Sequence, residues 1–140
     1  MEGTLEMLKE MALFKIKVDE RRSEQVIVLK EKNGTRLLPV VIGMSEVNAI
    51  KMKLSGVKPP RPLTHDLLLS AIQELGARLT KVCIDKLESN TFHAKLTLQR
   101  NGTEVIVDAR PSDSIALALR AESPIFVEEG VLDQAGLGES

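Results

Sequence analysis

The stretch VDARPSDSIALALR, residues 107–120, decides the fold of this chain. Its first half is polar around Pro111, and its second half is apolar apart from Arg120. The alternation up to Ala109 indicates a strand, Pro111 suits the first turn of a helix, and Ser112 suits a cap. The apolar run that follows has no polar face, which is typical of a helix buried on several sides. The stretch therefore predicts a strand that leads into a core helix, with a polar junction at the rim of the domain.

The same strand–helix pattern occurs earlier, in VVIGMSEVNAIKMKL, residues 40–54. The two stretches align without a gap, and the alignment places Ser45-Glu46 on Ser112-Asp113. The turn signals Asn33-Gly34-Thr35 and Asn101-Gly102-Thr103 also correspond. Coincidental similarity between two ordinary strand–helix junctions is one explanation. The matching order of elements favours the other explanation, an internal duplication.

The periodicity along the chain predicts an α+β fold built from two β-β-β-α-α repeats that share one core. Residues 1–11 are expected to form a tail or a short helix, and residues 12–137 a single domain with halves at about 12–77 and 78–137. Strands are predicted at 12–18, 24–30, 36–43, 78–87, 92–99 and 104–109, and helices at 44–54, 64–76 and 112–121. Ser45 and Thr64 are the expected N-caps of the first two helices.

The composition limits the classes of partner. The chain has 19 basic and 20 acidic residues and a net charge of -1, so a nucleic acid would have to meet a local basic patch. It has no Trp or Tyr and three Phe, which argues against base-stacking platforms. Its single cysteine excludes an internal disulfide framework, and the N-terminus lacks a signal-peptide pattern. We therefore expect a cytoplasmic protein that does not associate with membranes.

Four segments resemble the motifs of the bifunctional nuclease (BFN) domain family. Residues 107–120 resemble the signature D-x-R-P-S-D-A-I-x-L-A, and PRPLTHDLL, residues 60–68, resembles R-P-x-T-H-D-L. LPVVIGMSEVNAI, residues 38–50, is similar to the first motif of the family, and PIFVEEGVL, residues 124–132, to its closing segment. The resemblance covers about residues 12–133, with its motifs in the proper order.

This resemblance implies a fold and an activity. It implies an α+β domain of two repeats around a curved, barrel-like, mainly antiparallel sheet. It also implies a nuclease of low sequence specificity that acts on DNA, RNA or both. Phosphodiester hydrolysis needs an activated water and neutralisation of phosphate charge, which carboxylates that hold Mg²⁺ or Mn²⁺ can supply. The cofactor expected on this basis is one of these two ions.

Acidic side chains and one histidine are the candidates for catalysis. Asp108, Asp113 and Glu46 are the expected catalytic acids and metal ligands, and Glu46 and Asp113 are expected to approach each other if the halves are related. His65 is a candidate general base or phosphate ligand. Glu46 and Asp113 also have a structural interpretation, because an acid in the first turn of a helix interacts favourably with the helix dipole. The structural interpretation of Asp108 is an ion pair with Arg110 or with Arg61.

Basic side chains are the candidates for substrate binding. Arg110 and Arg61 would bind phosphate, together with Lys51 and Lys58, which lie in a segment without acids from residue 47 to residue 64. A solvated helix face and loop explain these lysines equally well. Arg110 has its own structural interpretation, an ion pair with Asp108.

Two further functions stay open at this stage. The neutral charge and the scarcity of aromatics also suit a non-catalytic binding or regulatory module whose polar motifs are structural. A weaker alternative is a site for a small anion near Ser112, at the start of a helix. A homodimer is expected as the commonest symmetric assembly, although the sequence does not identify its interface.

Overall fold

The computed structural model describes residues 7–19, 21 and 24–138. Within them, seven strands and four helices follow one another along the chain. The strands are β1 (Leu8–Asp19), β2 (Glu24–Glu31), β3 (Leu37–Ile42), β4 (Arg78–Glu88), β5 (Thr91–Arg100), β6 (Thr103–Ala109) and β7 (Ile125–Glu128). The helices are α1 (Met44–Ser55), α2 (Thr64–Glu74), α3 (Pro111–Ala121) and α4 (Glu129–Ala135). None of these helices is long and apolar enough to span a membrane.

All seven strands form one sheet in the order β3-β2-β1-β7-β4-β5-β6. β1, β2 and β3 form one antiparallel meander, and β4, β5 and β6 form a second. The short β7 lies between them, antiparallel to β1 and parallel to β4. The predicted mixed α+β class and mainly antiparallel sheet are therefore confirmed.

The sheet curves strongly around α3. This helix contacts β3, β4 and β5, although β3 and β5 are separated by five strand spacings in the sheet. Five spacings in a flat sheet would cover roughly 24 Å, about twice the diameter of a helix with its side chains. The sheet must therefore wrap around α3, and its interior holds the fully buried side chains of Ile115 and Leu117.

Two sequence-based expectations differ from this arrangement. The sheet is not closed into a barrel, because β3 and β6 are both edge strands and are not paired with each other. β1 begins at Leu8 rather than at residue 12, since residues 8–11 pair with β7 and Met11 is buried between the meanders. Residues 1–6 of the expected tail lie outside the described part of the chain. The internal duplication stays a prediction.

Tight turns hold the second meander in register. Asn101 and Gly102 both have positive φ, 49° and 77°, and connect the paired residues Arg100 and Thr103. Two consecutive residues of this kind form the turn whose twist matches a two-residue hairpin. The hairpin fixes which residues of β6 face the helices. It therefore also fixes the position at which β6 ends and α3 begins.

We expect the core around α3 to dominate stability. Leu117→Ala should lower the free energy of unfolding by about 2–5 kcal/mol, because a fully buried leucine is replaced by a cavity. Leu54→Ala removes the same atoms from an exposed position in α1 and should change it by less than about 0.5 kcal/mol. Urea denaturation of both variants checks this, and equal losses would contradict the described packing.

Candidate functional site at the starts of three helices

Each of the three core helices has an acidic residue three positions after its N-cap. The N-caps are Gly43, Leu63 and Arg110, so the acids are Glu46, Asp66 and Asp113. The expected caps Ser45, Thr64 and Ser112 are wrong, because each of them lies inside the first turn of its helix. In α2 the acid takes over the capping role, since Asp66 Oδ2 accepts a hydrogen bond of 2.9 Å from the Leu63 amide.

Arg110 joins two of these acids. Its Nη2 donates to Glu46 Oε1 at 2.7 Å, and its Nε donates to Asp113 Oδ2 at 3.2 Å. Asp113, and more weakly Glu46, hold the pKa of Arg110 above its usual value. The side chain of Arg110 remains 71% exposed. Glu46 and Asp113 therefore lie on either side of one solvent-reachable guanidinium.

His65 extends this network from α2. Its Nε2 lies 2.9 Å from Asp113 Oδ1. Because an ionised carboxylate only accepts hydrogen bonds, this contact places a proton on Nε2. The imidazole is buried, so the carboxylate fixes both its orientation and its tautomer. Glu46, Arg110, Asp113 and His65 therefore form one continuous polar network across the starts of α1, α2 and α3.

A second arginine, Arg120 in the last turn of α3, holds the helices together. Arg120 Nε donates to Asp66 Oδ1 at 2.6 Å, and its Nη2 donates to the carbonyl oxygen of Ala49 in α1 at 3.2 Å. Its side chain is only 7% exposed. Burial acts to raise the pKa of Asp66, but hydrogen bonds from Leu63 and Arg120 outweigh it, so the pKa is lowered. The contacts of Arg120 thus link all three helices.

The spacing along α3 explains why His65 and Asp66 are adjacent in sequence. Asp113 and Arg120 are seven residues apart, which is two helical turns, so both project from one face of α3. His65 contacts the first and Asp66 contacts the second. The start of α2 therefore lies along α3, and each of two successive residues binds a different turn of that helix.

A groove of about 380 Å³ opens beside this network. His65 and Asp113 form its polar end, and the rest of it is mostly apolar. Asp108 also lines the groove but is not bonded to the network: its side chain is 76% exposed and accepts a hydrogen bond of 3.2 Å from Lys95. Asp108 and Asp113 thus share the groove but have different partners.

Apart from Arg110, the predicted basic residues lie outside the network. Arg61, Lys51 and Lys58 are all exposed. Lys58 lines a different groove of about 280 Å³, next to Asp66 and Arg120. Their contribution to phosphate binding stays a prediction.

The residues of the network do not fit a divalent cation as they are arranged. Within residues 7–19, 21 and 24–138, no three His, Cys, Asp or Glu side chains are grouped to hold a metal ion. The Arg110 guanidinium already lies between the carboxylates of Glu46 and Asp113, which is where a shared cation would have to bind. No chemical step is therefore assigned to a metal here.

The sequence comparison identifies the family. The family model for the bifunctional nuclease domain matches residues 27–140. This chain belongs to the bifunctional nuclease domain family. An uncharacterised protein of Mycobacterium tuberculosis is 49% identical over 128 residues, covering 91% of this chain and 76% of the relative.

Plant members of the family are more distant. Bifunctional nuclease 1 of Arabidopsis thaliana is 30% identical over 107 residues, which is 74% of this chain and 33% of the relative. Bifunctional nuclease 1 of Oryza sativa subsp. indica is 25% identical over 126 residues, which is 87% of this chain and 38% of the relative. The chain thus spans 33–38% of the length of these plant relatives.

Sequence reasoning missed two residues of the site. Arg120 was visible as the single charge in the apolar half of residues 107–120, which is the signal of a buried ion pair. Gly43 carries no such signal, and its role comes from packing. A Cβ atom built on Gly43 would lie 2.6 Å from Glu46 Oε2, so glycine leaves room for that carboxylate.

We expect the Asp66–Arg120 pair to make stability depend on pH. The pKa of Asp66 is lower in the folded than in the unfolded protein. Its contribution to the free energy of unfolding is therefore complete at pH values above the unfolded pKa of about 3.9, and is lost as the pH falls through the folded pKa. Asp66→Asn should lower the free energy of unfolding by roughly 2 kcal/mol or more at pH 7, because Arg120 is left as an unpaired buried charge. The same substitution should lower it by much less near pH 2. The exposed control Asp133→Asn should stay within about 0.5 kcal/mol of wild type at both pH values. A cost of Asp66→Asn that does not change with pH would contradict this account.

We also expect Gly43 to be coupled to Glu46. Gly43→Ala displaces the Glu46 carboxylate from Arg110. The substitution should therefore lower the free energy of unfolding by ~0.5 kcal/mol or more beyond its effect in a Glu46→Ala background. Gly130→Ala, a helix position with open space around it, should show no such coupling. Unfolding free energies of the four variants of each cycle provide the measurement, and additive costs for Gly43 and Glu46 would refute the contact.

Proposed function

We propose that this protein is a nuclease of low sequence specificity, which hydrolyses phosphodiester bonds in DNA, RNA or both. The observation that carries the proposal is the His65–Asp113 pair next to the exposed guanidinium of Arg110. Membership of the bifunctional nuclease domain family supports it, as do the names of the plant relatives.

Arg110 is the proposed phosphate-binding residue. Its Nε and Nη2 are held by Asp113 and Glu46, which fixes the plane of the guanidinium. Its Nη1 makes no hydrogen bond to the described part of the chain and is left to donate to a phosphate oxygen. The starts of three helices add their positive dipole ends to the same region. Arg61, Lys51 and Lys58 are proposed to bind neighbouring phosphates of the backbone.

His65 is the proposed general base. With Nε2 protonated against Asp113, the lone pair is on Nδ1, which takes a proton from water as the water oxygen attacks phosphorus. The bond from phosphorus to the leaving sugar oxygen breaks, that oxygen takes a proton from solvent water, and His65 returns its proton to solvent. Asp113 stabilises the imidazolium that forms, in the way a carboxylate supports a catalytic histidine. Glu46 keeps Arg110 in place, so it is a positioning residue.

The expected Mg²⁺ or Mn²⁺ remains a proposal in addition to this mechanism. Since Arg110 lies between Glu46 and Asp113, a cation bound by these acids would require the exposed guanidinium to move away. Asp108, the third acid predicted as a metal ligand, lines the same groove as His65 and Asp113.

A second candidate function is a non-catalytic binding or regulatory module. One observation favours it: Glu46, Arg110, Asp113 and His65 bind one another and so form a complete structural cluster. In this case substitutions in the cluster would change stability and leave no cleavage to measure.

Cleavage assays on matched Asp→Asn variants separate these functions. Plasmid DNA and single-stranded RNA would be incubated with purified protein in Mg²⁺, Mn²⁺ or EDTA. We expect Asp113→Asn to slow cleavage about 10²–10⁴-fold, because His65 loses the carboxylate that orients it. Asp133→Asn, a change of the same kind on α4, should cleave at the wild-type rate. Asp108→Asn shows whether that residue belongs to the catalytic set.

The assay has two outcomes that overturn the proposal. Equal cleavage by wild type and Asp113→Asn would indicate a contaminant and remove the site. Absence of cleavage by wild type with both ions and in EDTA would favour the binding module.

A further inference from the structure

The start of α3 separates two grooves. The groove of about 380 Å³ described above, here called the His65 groove, contains His65 and Asp113. A second groove of about 500 Å³, here called the Asn90 groove, lies between the end of β3 and the turn that connects β4 to β5. Arg110 lines the Asn90 groove and donates a hydrogen bond to Asp113, which lines the His65 groove. The guanidinium of Arg110 therefore lies where the two grooves meet.

The Asn90 groove combines an apolar wall with a polar rim. Phe92 is half-buried in this wall, and Val41 of β3 is 58% exposed. Asn90 and Thr91 are both exposed, and they add an amide and a hydroxyl group. Within the part of the chain that the structure describes, Arg110 is the only charged residue that lines this groove. Such a lining suits a ligand that has a planar ring, hydrogen-bonding groups and a negative charge at one end.

The turn between β4 and β5 positions Asn90 at the groove. Ser89 and Asn90 have positive φ angles of 50° and 63°, and they connect the paired residues Glu88 and Thr91. Asparagine tolerates this backbone conformation more readily than most residues do. The strand pairing on both sides therefore fixes the backbone of Asn90, and its amide side chain lies at the rim of the groove.

The geometry of phosphodiester hydrolysis decides which part of a substrate enters this groove. In an in-line displacement, the attacking water and the leaving oxygen lie on opposite sides of phosphorus. In the proposed function, His65 activates the water on its own side and Arg110 binds the phosphate. The leaving sugar oxygen must then point away from the His65 groove, and the Asn90 groove lies on that side of Arg110.

We propose that the Asn90 groove binds the nucleoside that leaves when the phosphodiester is cleaved, an inference that rests on the proposed function. The water oxygen forms a bond to phosphorus as the bond to the leaving sugar oxygen breaks. That oxygen takes a proton from solvent water, and His65 returns its proton to solvent. The unit released from the Asn90 groove is a nucleoside with a free hydroxyl group, and the phosphate stays with the nucleoside on the other side.

The Asn90 groove suits one base of any kind. The half-buried ring of Phe92 offers a single stacking surface, and stacking accepts every base. The Asn90 amide both donates and accepts hydrogen bonds, so it can bind the edges of different bases. A groove of about 500 Å³ has room for one nucleoside. This recognition is consistent with the three phenylalanines of the chain and with low sequence specificity.

Cleavage of a tetranucleotide that contains a single phosphodiester tests the proposal. The phosphodiester lies in the middle, the two outer linkages are methylphosphonates, and the sugars are of the type that wild type cleaves faster. Two further substrates each lack one of the two bases next to the phosphodiester. The position of the phosphate in the wild-type products shows which nucleoside leaves and which one is retained.

We expect the effect of Asn90→Gly to depend on the leaving base. The variant should lower kcat/KM about 3- to 10-fold on the complete substrate and on the substrate without the retained base, because one hydrogen bond to the leaving base is lost. It should cleave the substrate without the leaving base as fast as wild type does.

Ser89→Gly is the matched control for this variant. Ser89 has a positive φ angle in the same turn but is not among the residues that line the groove. Ser89→Gly should therefore match wild type on all three substrates. Circular dichroism confirms that each variant folds. If Asn90→Gly does not fold, Asn90→Asp is measured in its place by the same criteria.

Four results would overturn this proposal and leave the proposed function in place. Three of them concern Asn90→Gly: a wild-type rate on the complete substrate, an equal loss on all three substrates, or a loss that disappears only without the retained base. The fourth is a wild type that cleaves plasmid DNA or RNA but not the tetranucleotide, because contacts beyond the two nucleosides would then dominate binding. A wild type that cleaves no nucleic acid removes the proposed function itself, and this inference with it.

Discussion

The contact between Arg120 and Asp66 is the constraint on which the candidate site depends. It is a charge pair in which the arginine is almost completely buried, and the same guanidinium also reaches the Ala49 carbonyl oxygen. Burying such a pair is costly unless every donor has a partner, and it then specifies one arrangement of the chain. Here it fixes α1 and α2 on α3, and the relative positions of the three helix starts follow from it.

Arg110 uses that arrangement at the other end of α3. Arg120 holds the helices together two turns further along α3. As a result, Glu46 and Asp113 both bind the exposed guanidinium of Arg110, and His65 contacts Asp113. The two arginines therefore have different tasks. The buried Arg120 holds the three helices together, and the exposed Arg110 is the proposed phosphate-binding residue.

Local patterns predicted most of the elements, and non-local contacts account for what they missed. The strand–helix junction before Pro111 and the turn at Asn101 follow from short-range preferences. The insertion of β7 between the meanders and the open edges at β3 and β6 depend on pairing between distant residues, which periodicity does not encode. The site was predicted in part for the same reason. Residue type singled out His65 and Asp113, but only the fold separates Asp108 from them.

The central claim is that Arg110, His65 and Asp113 act as one unit on a phosphodiester. The most direct test is the cleavage rate of Arg110→Gln, His65→Gln and the double variant, each with its fold verified. Residues that act as a unit are not additive, so the double variant should be no slower than the slower single variant. Losses that multiply, or cleavage at the wild-type rate in all three, would contradict the account.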